Sequence, residues 1–226
     1  VIYGVSDQLA YDNESRINTF AHVNYTTDQR RLGVLLCING TGILNRWVKN
    51  ISGDQYSYAE LNKKAASVAP GSEGVLVFPF GNGAERMLNN RLLNAQFLHI
   101  DFNKHGIAHI YRAAQEGIVF AFRYGLDIMR QNGMQPAVIR AGKANMFLSE
   151  VFTSAFVNTL QVPVELYNCD GSHGAAIGSG IGAGIYKNPA EAFSNFTPVE
   201  TIKPAGGQHY EGLYNRWLEQ LLKNLN

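Results

Sequence analysis

The chain has 226 residues, 46% of them hydrophobic, so it can bury one sizeable core and is not expected to be disordered. Its formal net charge of +1 provides no basic surface, which makes nucleic acid an unexpected partner. Cys37 and Cys169 are too few for a disulfide scaffold, and no apolar run approaches the ~20 residues that span a bilayer, so we expect a cytoplasmic protein without a membrane partner.

The N-terminal region is predicted to form strands and then a helix. Residues 1–6, 20–24 and 31–38 are rich in apolar and aromatic residues and are separated by polar stretches, which predicts three antiparallel strands. Apolar residues then recur at helical spacing, so the third strand is expected to enter a helix through Gly40 and Gly42.

A capping box and a buried strand come next. Ser57 is followed three residues later by Glu60, which predicts a helix start, and "VLVFPF" at 75–80 predicts a buried strand.

A long helix is predicted over residues 105–131. Gly117 and Gly125 each cost such a helix about 1 kcal/mol relative to Ala, which indicates a close backbone approach to another element.

The last third of the chain predicts a strand, a helix, a strand and a small-residue helix, over 137–142, 144–160, 162–168 and 174–186. Apolar residues at four-residue spacing predict a C-terminal amphipathic helix: Leu213, Trp217, Leu221 and Leu225. This order of elements favours a layered α/β domain. A helix starting directly after the strand would bring bare N–H groups to the edge of a cleft at residues 141–145.

Two glycine-containing motifs do not fit known phosphate or dinucleotide loops. "AGK" lacks the Gly and the Ser or Thr of a phosphate loop, since Ala137 and Ala144 occupy those positions. The run at 178–184 has Ala183 in place of a third Gly, so tight packing of a helix on the sheet is the better interpretation.

Three polar pairs or clusters are candidate sites. His105 and His109 have no third metal ligand at suitable spacing, so we predict no metal site, and the residues from Cys169 to His173 are predicted to form a turn. Glu85 and Arg86 follow a buried strand and are candidates for a cleft or inter-domain surface, with a solvated surface pair as the equal alternative.

Four segments in familiar order resemble the C-terminal domain of the FGGY carbohydrate kinases, and xylulokinases most. They are "GVLVFPFGNGAERMLNN" (74–90), "AQFLHIDFNKHGIAHIYRAAQE" (95–116), "AGKAN" (141–145) and "YNCDGSHGAAIGSGIGAG" (167–184). The chain departs from the family pattern at His99 and Ala141, where Gly is usual, and at Gln115, where an apolar residue is usual.

The resemblance implies an actin-like ATPase (ribonuclease H-like) domain of α/β class, with a mixed sheet and helices on both faces. It implies that residues 1–226 are the nucleotide-side domain and that a sugar-side N-terminal domain is absent from this chain. The catalytic Asp and a phosphate hairpin are then expected before Val1, so no catalytic residue is assigned here.

The resemblance also implies an adenine site. One wall is predicted at the strand-to-helix turn: Ala141, Gly142, Lys143 and Asn145. The second wall is predicted at the start of the first helix: Gly42 with Asn45 or Arg46.

The activity implied is Mg²⁺-dependent transfer of phosphate from ATP to a ketopentose, with D-xylulose giving D-xylulose 5-phosphate as the first choice. The sugar would bind through the absent domain, and a homodimer is left open. Two alternatives stand beside it: a kinase for gluconate, L-ribulose or glycerol, and a non-catalytic actin-like module that binds nucleotide or protein.

Overall fold

The architecture is a mixed α/β arrangement, which a computed structural model describes over residues 1–53 and 55–225. The strands are β1 Ile2–Ser6, β2 Asn18–Ala21, β3 Leu32–Leu36, β4 Leu76–Phe80, β5 Asn94–Leu98, β6 Ile139–Gly142, β7 Val164–Tyr167 and β8 Glu200–Ile202. The helices are α1 Thr41–Ile51, α2 Tyr58–Ala66, α3 Ile107–Gln131, α4 Glu150–Leu160, α5 Gly171–Gly182, α6 Pro189–Ala192 and α7 Gly207–Leu225.

The strands of the described residues form three separate hydrogen-bonded ladders. The predicted antiparallel set is confirmed, in the order β1-β3-β2, while β4 and β5 form an antiparallel pair. In the third ladder β7 pairs in parallel with β6 and antiparallel with β8, so this ladder alone is mixed. The sequence did not predict β5 or the three-residue β8, neither of which contains a fully buried residue.

The long helix α3 is buried at the centre, against β4. A Cβ added to Gly117 would lie 2.2 Å from the carbonyl oxygen of Val77, so only glycine permits this approach. A Cβ at Gly125 would lie 2.7 Å from the Leu36 side chain. The predicted close approach of α3 to other elements is therefore confirmed at both glycines.

The C-terminal helix α7 closes the same core. Leu213, Trp217 and Leu221 are buried as predicted, and the Trp217 indole Nε1 donates a 2.8 Å hydrogen bond to the oxygen of Val77. The ring of Trp217 also contacts Phe78 edge-on, with centroids 5.4 Å apart. The last element of the chain thus completes the packing of β4.

Two helix starts bear on the predictions. The capping box is confirmed, because Ser57 accepts from the Glu60 backbone N–H and donates its own N–H to the Glu60 carboxylate. The predicted helix start at Ala144 is wrong. A 3-10 turn covers Asn145–Leu148, and Ser149 caps α4.

The small-residue helix α5 does not pack tightly. Of its residues only Ile177 and Gly180 are buried, and Gly178 and Gly182 have open space where a Cβ would stand. The prediction of tight helix-on-sheet packing at 178–184 is therefore wrong. In the part of the chain that is described, no helix is both long and apolar enough to cross a membrane.

A buried ion pair fixes the turn that follows α2. Arg112 Nε lies 2.8 Å from Glu116 Oε1, and Arg112 also donates to the carbonyl oxygens of Ala65 and Val68. The Glu116 carboxylate accepts from the Gly71 N–H. Burial raises the pKa of Glu116, and its contacts with Arg112 oppose that shift.

We expect Arg112→Met to lower the free energy of unfolding by about 3–5 kcal/mol, because it leaves the buried Glu116 carboxylate without its cationic partner. Arg140→Met is the matched control, since Arg140 makes a 2.9 Å contact with Glu165 while 65% exposed, and it should cost at most about 1 kcal/mol. Urea denaturation measures both values. Equal losses for the two variants would contradict this account of the buried pair.

Candidate functional site

The first candidate wall lies where two parallel strands end. Ala141 and Gly142 are the last residues of β6, which pairs in parallel with β7. The carboxyl ends of parallel strands form a common edge at which α/β proteins bind ligands. The loop after β7 reaches the same edge, because a Cβ on Gly142 would lie 2.4 Å from the Cys169 carbonyl oxygen.

The backbone of this turn is already hydrogen-bonded. The Lys143 N–H donates to the oxygen of Tyr167 and the Ala144 N–H donates to the oxygen of Gly142, each at 2.8 Å. The bare amides expected here are therefore not available at these two positions. The turn can present a surface to a flat ring, and these two amides cannot also donate to an anion.

Charged groups near this edge also disfavour a phosphate. Lys143 Nζ lies 2.8 Å from Glu200 Oε2, so its charge is already paired. Asp170 caps α5 by accepting from the N–H groups of Ser172 and His173. These bonds and, most strongly, the bond from the Ser172 hydroxyl lower the pKa of Asp170 to about 2. A carboxylate at the start of α5 repels a second anion.

On the second candidate wall, at the start of α1, the two alternative side chains, Asn45 and Arg46, have different surroundings. Gly42 and Arg46 are exposed, and a Cβ on Gly42 would meet no atom within 4 Å. Asn45 instead has its Oδ1 buried, and its side chain reaches Tyr111, whose pKa is raised chiefly by burial. Arg46, rather than Asn45, is therefore the side chain that a ligand beside Gly42 could contact.

A buried glutamine of α3 links the start of α4 to α2. Gln115, 1% exposed, accepts at 2.8 Å from the hydroxyl of Ser149, the residue that caps α4, and donates at 2.9 Å to Asn62 of α2. Its side chain also reaches Tyr111, beside Asn45. The sequence marked Gln115 as unusual but did not reveal this linking position, because Ser149 and Asn62 come from the start of α4 and from α2.

The structure does not place the two walls in one described groove. The groove of about 910 Å³ between β1 and β6 includes Ala141 but no residue of α1.

Glu85 and Arg86 are adjacent in sequence but have different surroundings. Glu85 is fully buried and accepts the Asn39 N–H at 3.1 Å, just before α1. Its pKa is raised by burial, with hydrogen bonds from the Asn39 and Gly40 backbones opposing the shift. Arg86 is exposed and hydrogen-bonds Asn18 of β2. The two residues do not form a surface pair, and their role at a cleft stays a prediction.

The remaining candidate residues have local roles. His105 accepts from the Asp101 N–H and His109 accepts from the Gly106 N–H. No group of three His, Cys, Asp or Glu side chains suited to a metal ion occurs among the described residues. The predicted turn after Cys169 is the start of α5, which Asp170 caps.

Comparison with known proteins places this chain in a family. The model of the FGGY family of carbohydrate kinases, C-terminal domain, matches residues 2–185. The xylulose kinase of Haemophilus influenzae is 26% identical over 198 residues, which cover 83% of this chain and 38% of that protein.

Solved structures share the fold. A xylulose kinase from Lactobacillus acidophilus superposes with a TM-score of 0.82 at 18% identity, over 98% of this chain and 44% of that one. Plasmodium falciparum glycerol kinase with ADP gives 0.81 at 16% identity, over 99% and 45% of the two chains. The chain thus spans less than half the length of these relatives.

We expect Glu85→Gln to change how stability depends on pH. A carboxyl group whose pKa is raised on folding binds protons more tightly in the folded state, so its contribution to stability falls as pH rises from its usual 4.5 to the raised value. Glutamine removes this term, so the stability of the variant relative to the native protein should increase over that window and then level off. Melting temperatures from about pH 4 to pH 8 measure the difference. Parallel curves would contradict a raised pKa at Glu85.

Proposed function

We propose that this protein transfers a phosphoryl group from ATP to a sugar, because the chain belongs to the FGGY family of carbohydrate kinases and matches the C-terminal domain of that family. The match over residues 2–185 carries the proposal. The proposal assigns to this chain the nucleotide-side half of a two-domain, actin-like enzyme with a ribonuclease H-like core. The relatives named above are more than twice as long, which supports a larger functional unit.

The reaction proposed is the attack of a sugar hydroxyl oxygen on the γ-phosphorus of ATP. The bond from that phosphorus to the bridging oxygen breaks, ADP leaves, and the hydroxyl proton passes to a base. Such a reaction depends mainly on positioning and on neutralising phosphate charge. Residues of this chain would contribute the position of the nucleotide, and the base is expected outside it.

The proposed nucleotide site uses the turn after β6 for the face of the adenine ring, at Ala141, Gly142 and Asn145. Two features support a neutral ring there: the hydrogen-bonded amides of Lys143 and Ala144, and the carboxylate of Asp170. Gly42 and Arg46 of α1 would form the second wall, on closure around the ligand. Lys143 has its charge satisfied by Glu200, so its contribution should be small.

Mg²⁺ would neutralise charge on the phosphates. The described residues hold no cage for a metal ion, so its ligands are expected to be mainly phosphate oxygens and water.

D-Xylulose is the proposed substrate, converted to D-xylulose 5-phosphate, because the curated relative from Haemophilus influenzae is a xylulose kinase. Glycerol, gluconate and L-ribulose are the alternatives within the family, and the likeness to a glycerol kinase is nearly as close in structure. A non-catalytic module that binds nucleotide or protein is the alternative outside it. Sugar-dependent turnover separates the two classes.

We expect the protein with its upstream region to release ADP in the presence of ATP, Mg²⁺ and D-xylulose, and the 226-residue chain alone to show no sugar-dependent release. A coupled assay over a panel of D-xylulose, L-ribulose, gluconate and glycerol measures both. Nucleotide binding by the longer protein without turnover on any sugar would favour the non-catalytic module. Sugar-dependent turnover by the short chain would contradict the two-domain assignment.

We expect Gly42→Leu in the longer protein to raise the Kd for ATP by at least about tenfold, since the new side chain would occupy the volume of the nucleotide. Gly42 suits this test because a Cβ there meets no atom within 4 Å. A side chain at Gly142 would instead clash with the Cys169 carbonyl oxygen, so a loss of binding there could reflect a loss of folding. Gly212→Leu is the matched control, because Gly212 also lies in a helix with open space at its Cβ position. Calorimetric titration decides. Equal ATP affinities for the two variants would remove α1 from the site.

A further inference from the structure

A small surface pocket lies between the start of β4, the end of β5 and helix α7. Its volume is about 260 Å³. It is lined by the turn before β4, the first residue of β4, the residue after β5 and one side of α7: Gly71, Gly74, Leu76, His99, Arg216, Glu219 and Gln220. The lining includes none of the residues proposed above to bind nucleotide, so the pocket is a separate candidate site.

Arg216 brings an unbalanced positive charge to this pocket. Its guanidinium lies against the turn, since a Cβ on Gly71 would stand 3.7 Å from Arg216 Nη2. Over residues 1–53 and 55–225, no carboxylate forms an ion pair with Arg216. The carboxylate in the lining, that of Glu219, lies 2.6 Å from Lys223 Nζ, so its charge is already paired. A guanidinium in this situation can bind a phosphate through two parallel hydrogen bonds.

His99 lines the pocket in a backbone conformation that favours glycine. Its φ is +61°, in the left-handed region, which costs an L-residue roughly 1–2 kcal/mol. Glycine is also the usual residue at this position in the family that the sequence resembles. Strained positions cluster where a side chain has a function. The structure places the imidazole of His99 in the lining, where its N–H can donate to an anion.

We propose that this pocket binds a phosphate group. The guanidinium of Arg216 would donate to two of the phosphate oxygens, His99 would donate to a third, and the side-chain amide of Gln220 would donate to the same group. This inference does not depend on catalysis and stands whether or not the protein phosphorylates a sugar.

The arrangement of the donors favours a tetrahedral phosphate over a planar carboxylate. The backbone amides of the turn are already used, because the Gly71 N–H donates to Glu116 and the Gly74 N–H donates to the Gly71 oxygen. Side chains from α7 and from the end of β5 are therefore the donors, and they border the pocket from two elements. A carboxylate has two oxygens, which the guanidinium alone would satisfy, whereas a phosphate has further oxygens for the imidazole and the amide.

Phosphate titration followed by NMR is the first test, on the protein with its upstream region. We expect the imidazole resonance of His99, assigned by its loss in His99→Gly, to shift saturably with inorganic phosphate at constant pH and ionic strength. Arg216→Met should raise the Kd read from this resonance at least about tenfold. Arg30→Met is the matched control, because Arg30 is also exposed, has no ion pair within the described ranges and does not line the pocket. An unsaturated shift, or equal Kd values for the two variants, would overturn the proposal.

Phosphate esters distinguish the two sources of such a group, a free phosphate ion and a phosphorylated metabolite. The same titration is repeated with glycerol 3-phosphate and with D-xylulose 5-phosphate. A Kd at His99 at least about tenfold lower for an ester than for inorganic phosphate would assign the pocket to a phosphorylated metabolite. Equal values would assign it to free phosphate. No saturable shift with any of the three compounds would overturn the phosphate site.

A glycine variant tests the part of His99. His99→Gly should leave the melting temperature unchanged or raise it, because glycine relieves the left-handed conformation. The Kd for phosphate, read in this variant from the side-chain amide resonance of Gln220, should rise at least about threefold. Asn94→Gly is the matched control, since Asn94 also has a left-handed φ of +64° but lies outside the pocket. A melting temperature more than about 4 °C lower in His99→Gly than in Asn94→Gly would show that His99 serves the fold instead. Equal affinities in these two variants would remove His99 from the site.

Discussion

The carbonyl oxygen of Val77 is the point on which the packing of this domain depends. The long helix α3 approaches it so closely that residue 117 has to be glycine, and Trp217 from the C-terminal helix donates a hydrogen bond to the same oxygen. Three elements far apart in sequence, β4, α3 and α7, are thereby held at one place. The helix α3 is buried along most of its length. Its close approach to Val77 therefore helps to fix the position of the elements that pack against it.

Polar side chains of α3 then link it by hydrogen bonds to α2 and to the start of α4. Arg112 and Glu116 form a buried ion pair. Arg112 donates to a carbonyl oxygen just after α2, and Glu116 accepts from the N–H of Gly71. Gln115 reaches Ser149, at the start of α4, and so supports the turn that follows β6. Buried polar groups are costly unless they are fully hydrogen-bonded, so a satisfied network of this kind favours one arrangement of the helices over others.

The edge formed by β6 and β7 shows how local chemistry narrows the choice of ligand. The amides of Lys143 and Ala144 are hydrogen-bonded, the Lys143 side chain is paired with Glu200, and a carboxylate occupies the start of α5. These features fit the flat, uncharged part of a nucleotide better than its phosphates. On the other side of β6 lies a groove toward β1 with an apolar floor. One strand thus borders two chemically different surfaces.

The sequence by itself determined the three-strand N-terminal set, the capping box at Ser57, the long helix with its two closely packed glycines, the amphipathic C-terminal helix, and the family. These follow from periodicity, capping and motif order, which act over a few residues. The tertiary structure alone decided that α4 begins after a 3-10 turn and that α5 is largely exposed. It also decided that Glu85 is buried while Arg86 is exposed, and that the Asn45 Oδ1 is buried while Arg46 is exposed. The reason is physical: burial, and the partner of a buried polar group, depend on contacts with residues distant along the chain, which no local pattern encodes.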